Sequence, residues 1–355
     1  MGCCLSATSQ YTYFNQLSLE SGLEFGNYDT STNLEVVGDE LIVWGGQAIN
    51  GIPYLFVRRF DSSGVEIEES TFNFGDSLIY IGGTNSFLSI PNSDGFLFSH
   101  AMYSDGIGEG IIMKFSSTLD TVWSKTYNEY FPETYFYTHA TSENGFVIAG
   151  EYGPELGERG TFIMEIDPEG EVLWHNEIHA PEEGLFRNRS ISQHDDKFIV
   201  SGVDQAGDNQ SYIEIVSEDG ILEEHIEPPN TPIGGGGSLY HFINSLDEII
   251  VYQSAAYEWI TPPSVAYNKI RVFNLDVDGV QLTLENEYFA NNELSGSVSK
   301  MIEVSDGYAI SGWYRDFDNG NSRKAWIMKI DDDFQQEWYT ELSYDDAPGN
   351  AHLPL

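Results

Sequence analysis

One pattern is written six times along this chain. FVRRFDSSGVEIEE from Phe56, IIMKFSSTLDTVWSK from Ile111, FIMEIDPEGEVLWHN from Phe162, YIEIVSEDGILEEH from Tyr212, IRVFNLDVDGVQLTL from Ile270 and WIMKIDDDFQQEWYT from Trp326 each read as an alternating strand, a turn and a second alternating strand. The turns open at Asp61, Ser116, Asp167, Ser217, Asp276 and Asp331, at a spacing of roughly 50 to 60 residues. Seven residues on, Trp123, Trp174 and Trp338 hold equivalent places, which Glu68, Glu224 and Thr283 take in the other copies. A period of this size means one supersecondary unit repeated, each copy needing its neighbours to bury its faces.

A second strand pair precedes each of these. SDGFLFSH at Ser93, ENGFVIAG at Glu143, DDKFIVSG at Asp195 and SDGYAISG at Ser305 are the clearest, with GDELIVWG at Gly38 and LDEIIVYQ at Leu246 as looser copies. Asp94-Gly95, Asn144-Gly145 and Asp306-Gly307 are two-residue hairpin signals, because a tight turn here needs positive φ. Each unit therefore has four strands, and no segment carries a helical period. Six such units in a row predict an all-β fold, a β-propeller of four-stranded blades packed around an axis. The complete repeats run from about Asn33 to Leu342. Tyr11 to Leu17 reads as an orphan outer strand, and the tail from Ser343 reads as the lead-in to another inner strand. We therefore expect a seventh blade, incomplete or closed by strands from both ends.

Composition is consistent with this. With 355 residues, 41% of them hydrophobic, the chain can bury a large core. Its 57 acidic against 15 basic residues give a formal net charge of -42, which repels a phosphate backbone and makes nucleic acid a poor partner. No stretch approaches the roughly 20 apolar residues of a membrane-spanning helix. Both cysteines, Cys3 and Cys4, sit in MGCCLS, so neither a disulfide framework nor a cysteine zinc site holds the body together. MGCCLS formally fits an acylation pattern, but the small residues Ala7-Thr8-Ser9 favour the remnant of a signal peptide over 1–10. Residues 11–355 then form a single propeller domain.

The strings IMEIDPEGEVLWHNEI and TSENGFVIAGE resemble the propeller repeats of secreted Bacteroidota proteins, many of them exported by the type IX secretion system. That resemblance implies export and work outside the cell, although a C-terminal sorting domain of that group is not found in this sequence. IDPEGEVLW is also similar to the tryptophan-docking repeat of quinone-dependent dehydrogenases, which would imply pyrroloquinoline quinone and calcium; the eight-bladed count and regular tryptophan of that family are missing.

Motifs for chemistry are sparse. His175-Asn176-Glu177-Ile178-His179 spaces two histidines like a zincin but lacks the glutamate after the first, and residues four apart on a strand sit about 13 Å from each other. They read as surface histidines. Asp316-Phe317-Asp318-Asn319-Gly320-Asn321 approximates a calcium loop without its final bidentate glutamate, leaving Asp316 and Asp318 as candidate calcium ligands.

The first-to-second and third-to-fourth strand turns are short and share one face, which reads as plain. The second-to-third loops face the other way and vary widely: MYSDGIGEG, EYGPELGERG, SAAYEWITPPSVAYN and WYRDFDNGNSRK. They place Tyr103, Tyr152, Tyr257, Trp259 and Tyr314 beside carboxylates, a combination that suits sugars or polypeptide surfaces. The expected function is thus a secreted or cell-surface, non-catalytic binding or adhesion module, with those five aromatics binding a glycan or protein. The alternative is an extracellular hydrolase or lyase with its site on the axis, where the inner strands YFYTHAT, RSISQH and SLYHFIN offer Ser, His and Tyr.

Overall fold

The computed structural model describes residues 33–37, 40–49, 52–61, 65–73, 78–80, 87–90, 95–104, 107–131, 134–153, 159–180, 186–204, 210–228, 237–259, 266–289, 296–316 and 322–342. Every regular element among them is a strand, and they form six antiparallel sheets whose order follows the sequence. Blade 1 is β1 (Asn33–Val37), β2 (Glu40–Ile49), β3 (Ile52–Phe60) and β4 (Glu66–Asn73). In blade 2 the inner position is split between β5 (Leu78–Tyr80) and β6 (Phe87–Ser89), both paired to β7 (Gly95–Ser104), followed by β8 (Ile107–Ser116) and β9 (Thr121–Thr126). Blade 3 is β10 (Tyr135–Thr141), β11 (Phe146–Tyr152), β12 (Gly160–Ile166) and β13 (Val172–His179). Blade 4 is β14 (Phe186–His194), β15 (Lys197–Asp204), β16 (Gln210–Ser217) and β17 (Leu222–Ile226). Blade 5 is β18 (Leu239–Ile243), β19 (Ile249–Trp259), β20 (Ala266–Asp276) and β21 (Gln281–Phe289), and blade 6 is β22 (Gly296–Val304), β23 (Gly307–Asp316), β24 (Ser322–Ile330) and β25 (Gln336–Leu342). The fold is the β-propeller that the repeats predict. The segments assigned to a signal-peptide remnant, to the orphan strand and to a seventh blade lie outside the described residues.

The core sits between blades rather than within them. Along β11, Phe146 and Ile148 face back into the layer shared with blade 2, whereas Val147 and Ala149 face forward into the layer shared with blade 4. In β15, Phe198 and Val200 face back while Ile199 faces forward. Successive side chains of a strand point to opposite faces, so a middle strand with neighbours on both sides must be apolar throughout. That is why β11 and β12 are buried along their whole length.

The turn signature has a physical cause. Asp167 accepts through Oδ1 from the amides of Glu169 (3.0 Å) and Glu171 (2.8 Å), and Ser217 and Asp331 do likewise for Ile221 (3.1 Å) and Gln335 (2.7 Å). An Asp or Ser that bonds its own downstream backbone closes the turn. Three residues later the chain must adopt positive φ: Gly170 and Gly220 at 80°, Leu119 at 53°, Phe334 at 54°.

At four junctions the residue in that left-handed position is matched to the blade before it, while Glu224 is followed by Gly279 and does not follow the pattern. Where the preceding outer strand carries tryptophan, the turn carries glycine: a Cβ on Gly170 would lie 3.1 Å from Trp123, and one on Gly220 2.4 Å from Trp174. Trp123 also donates its indole N–H to the carbonyl of Pro168 at 3.0 Å. Where the preceding strand has Glu68 or Thr283 instead, the turn supplies the bulk itself. Leu119 is buried in the layer between blades 1 and 2, and Phe334 stacks on Tyr308 at 5.3 Å between blades 5 and 6.

Candidate functional site

The expected binding residues fall on hairpins rather than loops. The strands of β7–β8, β19–β20 and β23–β24 continue outward as paired ladders, with Tyr103 opposite Gly108, Tyr257 opposite Asn268, Trp259 opposite Ala266, Tyr314 opposite Lys324 and Asp316 opposite Ser322. The side chains of these five aromatic and acidic residues, and Asp318 altogether, lie outside the described residues. Tyr152 departs from expectation. It is 7% exposed, not on the surface, because it ends a strand buried on both faces; it packs on Phe131 and Phe162 and donates its hydroxyl proton to Glu177.

The short-turn face is not plain. A shallow depression, open to solvent, lies there against the inner strands of blades 2, 3 and 4, lined by Leu88, Thr141, Glu143, Ser192, Gln193 and Asp195. A second, of about 260 Å³, lies between the turns of blades 4 and 5, with His194, Asp196, Asp247, Asp276 and Asp278 around it. Short turns leave these mouths uncovered.

Behind Ser192 is a buried hydroxyl–imidazole network. A register shift between Asn188 and Ser190 on β14 puts Ser190 opposite Ser201, and Ser190 and Ser192, two residues apart, face His241 of β18. His241 Nε2 is 2.8 Å from Ser192 Oγ, and Nδ1 is 2.9 Å from both Ser190 Oγ and Ser201 Oγ. Protons can be placed. Ser201 donates to the Leu239 carbonyl at 3.2 Å, and the 2.6 Å separation of Ser190 from Ser201 needs a proton between them, which Ser190 supplies. Nδ1 then carries the ring proton, and Nε2 accepts from Ser192. Burial pushes the His241 pKa down to about 3, so the ring is neutral.

At the outer rim, a cluster spans blades 3 and 4. His179 ends β13, Glu214 lies on β16, and His225 is its cross-strand partner on β17. The β13 ladder slips between Thr161 and Phe162, where Ile178 is the extra residue. Ahead of that bulge His175 and Glu177 contact Tyr130, Phe131 and Tyr152, on the blade 2 side, while Trp174 and Asn176 meet blade 4. A bulge re-aims the side chain that follows it. His179 consequently turns to blade 4, where it stacks on Phe186 (3.7 Å, 4°) and bonds Glu214. His175 is exposed, as the sequence suggests, but His179 is buried. Burial raises the Glu214 carboxyl, yet the hydrogen bonds from His179 and His225 outweigh it and hold the group below its ordinary range.

Nearby, Glu151 is fully buried and pairs with Arg159 at 2.9 Å. Burial raises its pKa, with Arg159 and Arg187 opposing. This pair joins the start of the β11–β12 connection and reads as structural.

No family model matches this chain, and no curated protein matches it. Among solved structures it is similar to a mutant of the Synechocystis apocarotenoid oxygenase, at 11% identity and TM-score 0.50, over 88% of this chain and 71% of that one. It is also similar to the subtype N10 neuraminidase-like protein of A/little yellow-shouldered bat/Guatemala/060/2010, at 10% identity and TM-score 0.47, over 87% of this chain and 92% of that one. At such identities the likeness concerns the fold alone. Among the described residues no helix is long and apolar enough to cross a membrane.

Proposed function

We propose that this propeller is a secreted or cell-surface binding module that holds a glycan or protein on its loop face, through Tyr103, Tyr257, Trp259 and Tyr314, with calcium assisting at Asp316 and Asp318. One observation carries the reading: the segments bearing these residues are ladder-paired extensions of β7, β19 and β23, whose inner halves are core strands. A contact surface set on paired strands loses little entropy on binding, and rigid aromatics supply area at low cost. The extracellular setting rests on the resemblance to secreted repeats. The test is the double variant Tyr257→Ala/Trp259→Ala against a glycan and cell-surface protein panel. Affinity should fall at least tenfold, roughly the 1.4 kcal/mol that a modest hot spot contributes; an unchanged affinity overturns the reading.

The Ser192–His241 pair favours a second reading, an axial hydrolase with Ser192 as nucleophile. It ranks lower because a base with a pKa near 3 provides little driving force for proton transfer, and no described carboxylate orients the ring. Labelling of Ser192 by a fluorophosphonate, absent in Ser192→Ala, would promote it.

A further inference from the structure

We propose that His179, Glu214 and His225 form a divalent transition-metal site, of the zinc type, that clamps blade 3 to blade 4. Their ligand atoms, His179 Nε2, a Glu214 carboxylate oxygen and His225 Nδ1, all lie within 4.8 Å of one another. Ligands about 2.1 Å from one tetrahedral zinc are about 3.4 Å apart, so small side-chain movements close the set. Two imidazoles and a carboxylate are the donors that borderline cations such as zinc take, whereas calcium and magnesium prefer oxygen alone.

A second observation points the same way. Glu214 is fully buried, and its Oε2 has no hydrogen-bond partner, while Oε1 faces both imidazoles. A buried carboxylate oxygen without a partner costs free energy that a cation would recover. The rings are also held. Phe186 stacks on His179, and Tyr212 stacks on His225 at 5.7 Å, itself anchored by donating to Asn188 Oδ1 at 2.8 Å. Such supports orient metal-binding imidazoles before the ion arrives. His225 is the most exposed of the three, so an ion enters past it, and a fourth position stays open to water. Binding exchanges the protons that His179 and His225 share with Glu214 for the ion, and affinity must fall as pH drops.

The site joins strands that are otherwise in different sheets, so metal should stabilise the blade 3–blade 4 layer. The experiment titrates the full, tag-free chain, stripped with EDTA, with zinc by calorimetry in excess magnesium, which occupies the many surface carboxylates. One zinc per chain is expected at micromolar or tighter affinity, with a melting temperature that rises with zinc. His225→Ala should weaken binding at least tenfold and shrink the zinc-dependent rise in melting temperature, measured against that variant's own metal-free value. Glu214→Gln, which keeps the shape, should abolish both the binding and the zinc-dependent rise. Absence of saturable binding in the parent chain, or affinities that His225→Ala and Glu214→Gln leave unaltered, overturns the proposal.

Discussion

His241 shows how one buried residue ties stability to pH. Its folded pKa near 3 lies below the ordinary value of 6.5, so between these limits the unfolded chain binds more protons than the native one. The sign follows: the contribution is intact above pH 6.5 and is lost as pH falls toward 3. At pH 5 the loss from this residue is about 2 kcal/mol. Replacing His241 by Asn removes the titrating ring, so the difference in unfolding free energy between pH 7 and pH 5 should shrink by about that amount. Denaturant titrations of both proteins at the two pH values check it, and identical slopes would mean that the ring is not held neutral. The inner strand sequences disclosed Ser and His here as residue types. Their meeting was not legible, since Ser190, Ser201 and His241 come from three strands of two blades.

At the scale of strands and turns, the sequence disclosed far more. Asp-x-x-Gly and Asn-Gly turns have local causes, so they could be placed without knowing any neighbour. What resisted reading was the residue seven after the turn, whose variation among Trp, Glu and Thr looked like decay of the repeat. At four junctions it is compensation, because the next turn carries Gly after Trp123 and Trp174 and Leu or Phe after Glu68 and Thr283, whereas Glu224 is followed by Gly279 without such a match. Ala at position 220 would meet Trp174 at 2.4 Å and sit at φ 80°, and Gly220→Ala should cost about 2–4 kcal/mol. In a Trp174→Ala background the same change should cost about 1 kcal/mol less, since the Trp174 contact is gone while the backbone term and the Asn176 amide at 2.7 Å remain. A double-mutant cycle by denaturation measures the difference, and additive effects would show that the two residues do not meet. The rim cluster escaped for a related reason. Strand periodicity gives His175 and His179 one face, and only the bulge at Ile178 separates them. In sequence the outward hairpins look like loops, because the apolar alternation stops where the sheet leaves the core, although backbone pairing does not.

For the whole molecule, charge is the dominant fact. A net charge of -42 on one chain repels itself, while its 15 basic residues, such as Arg59 with Glu40 and Glu68, can pair with only a minority of its 57 acidic ones. Self-repulsion wins. The melting temperature should therefore rise by several degrees from low salt to about 0.3 M sodium chloride, where screening acts within roughly 6 Å. A flat or falling profile in a thermal scan would show that the acidic groups are already paired.

The tailoring of four of the turns to the blade before them also bears on how the ring avoids assembling in the wrong order. Six similar sheets in one chain invite domain swapping and out-of-sequence docking, the characteristic failures of repeat proteins. A blade ending in Trp174 finds room only at a glycine turn; set against Leu119 or Phe334 it would collide, and Thr283 against Gly220 would leave a hole. Blade identity is thus checked by one side chain at four of the junctions, and a shuffled or circularly rearranged chain would have to move those outer strands together with the turns that receive them.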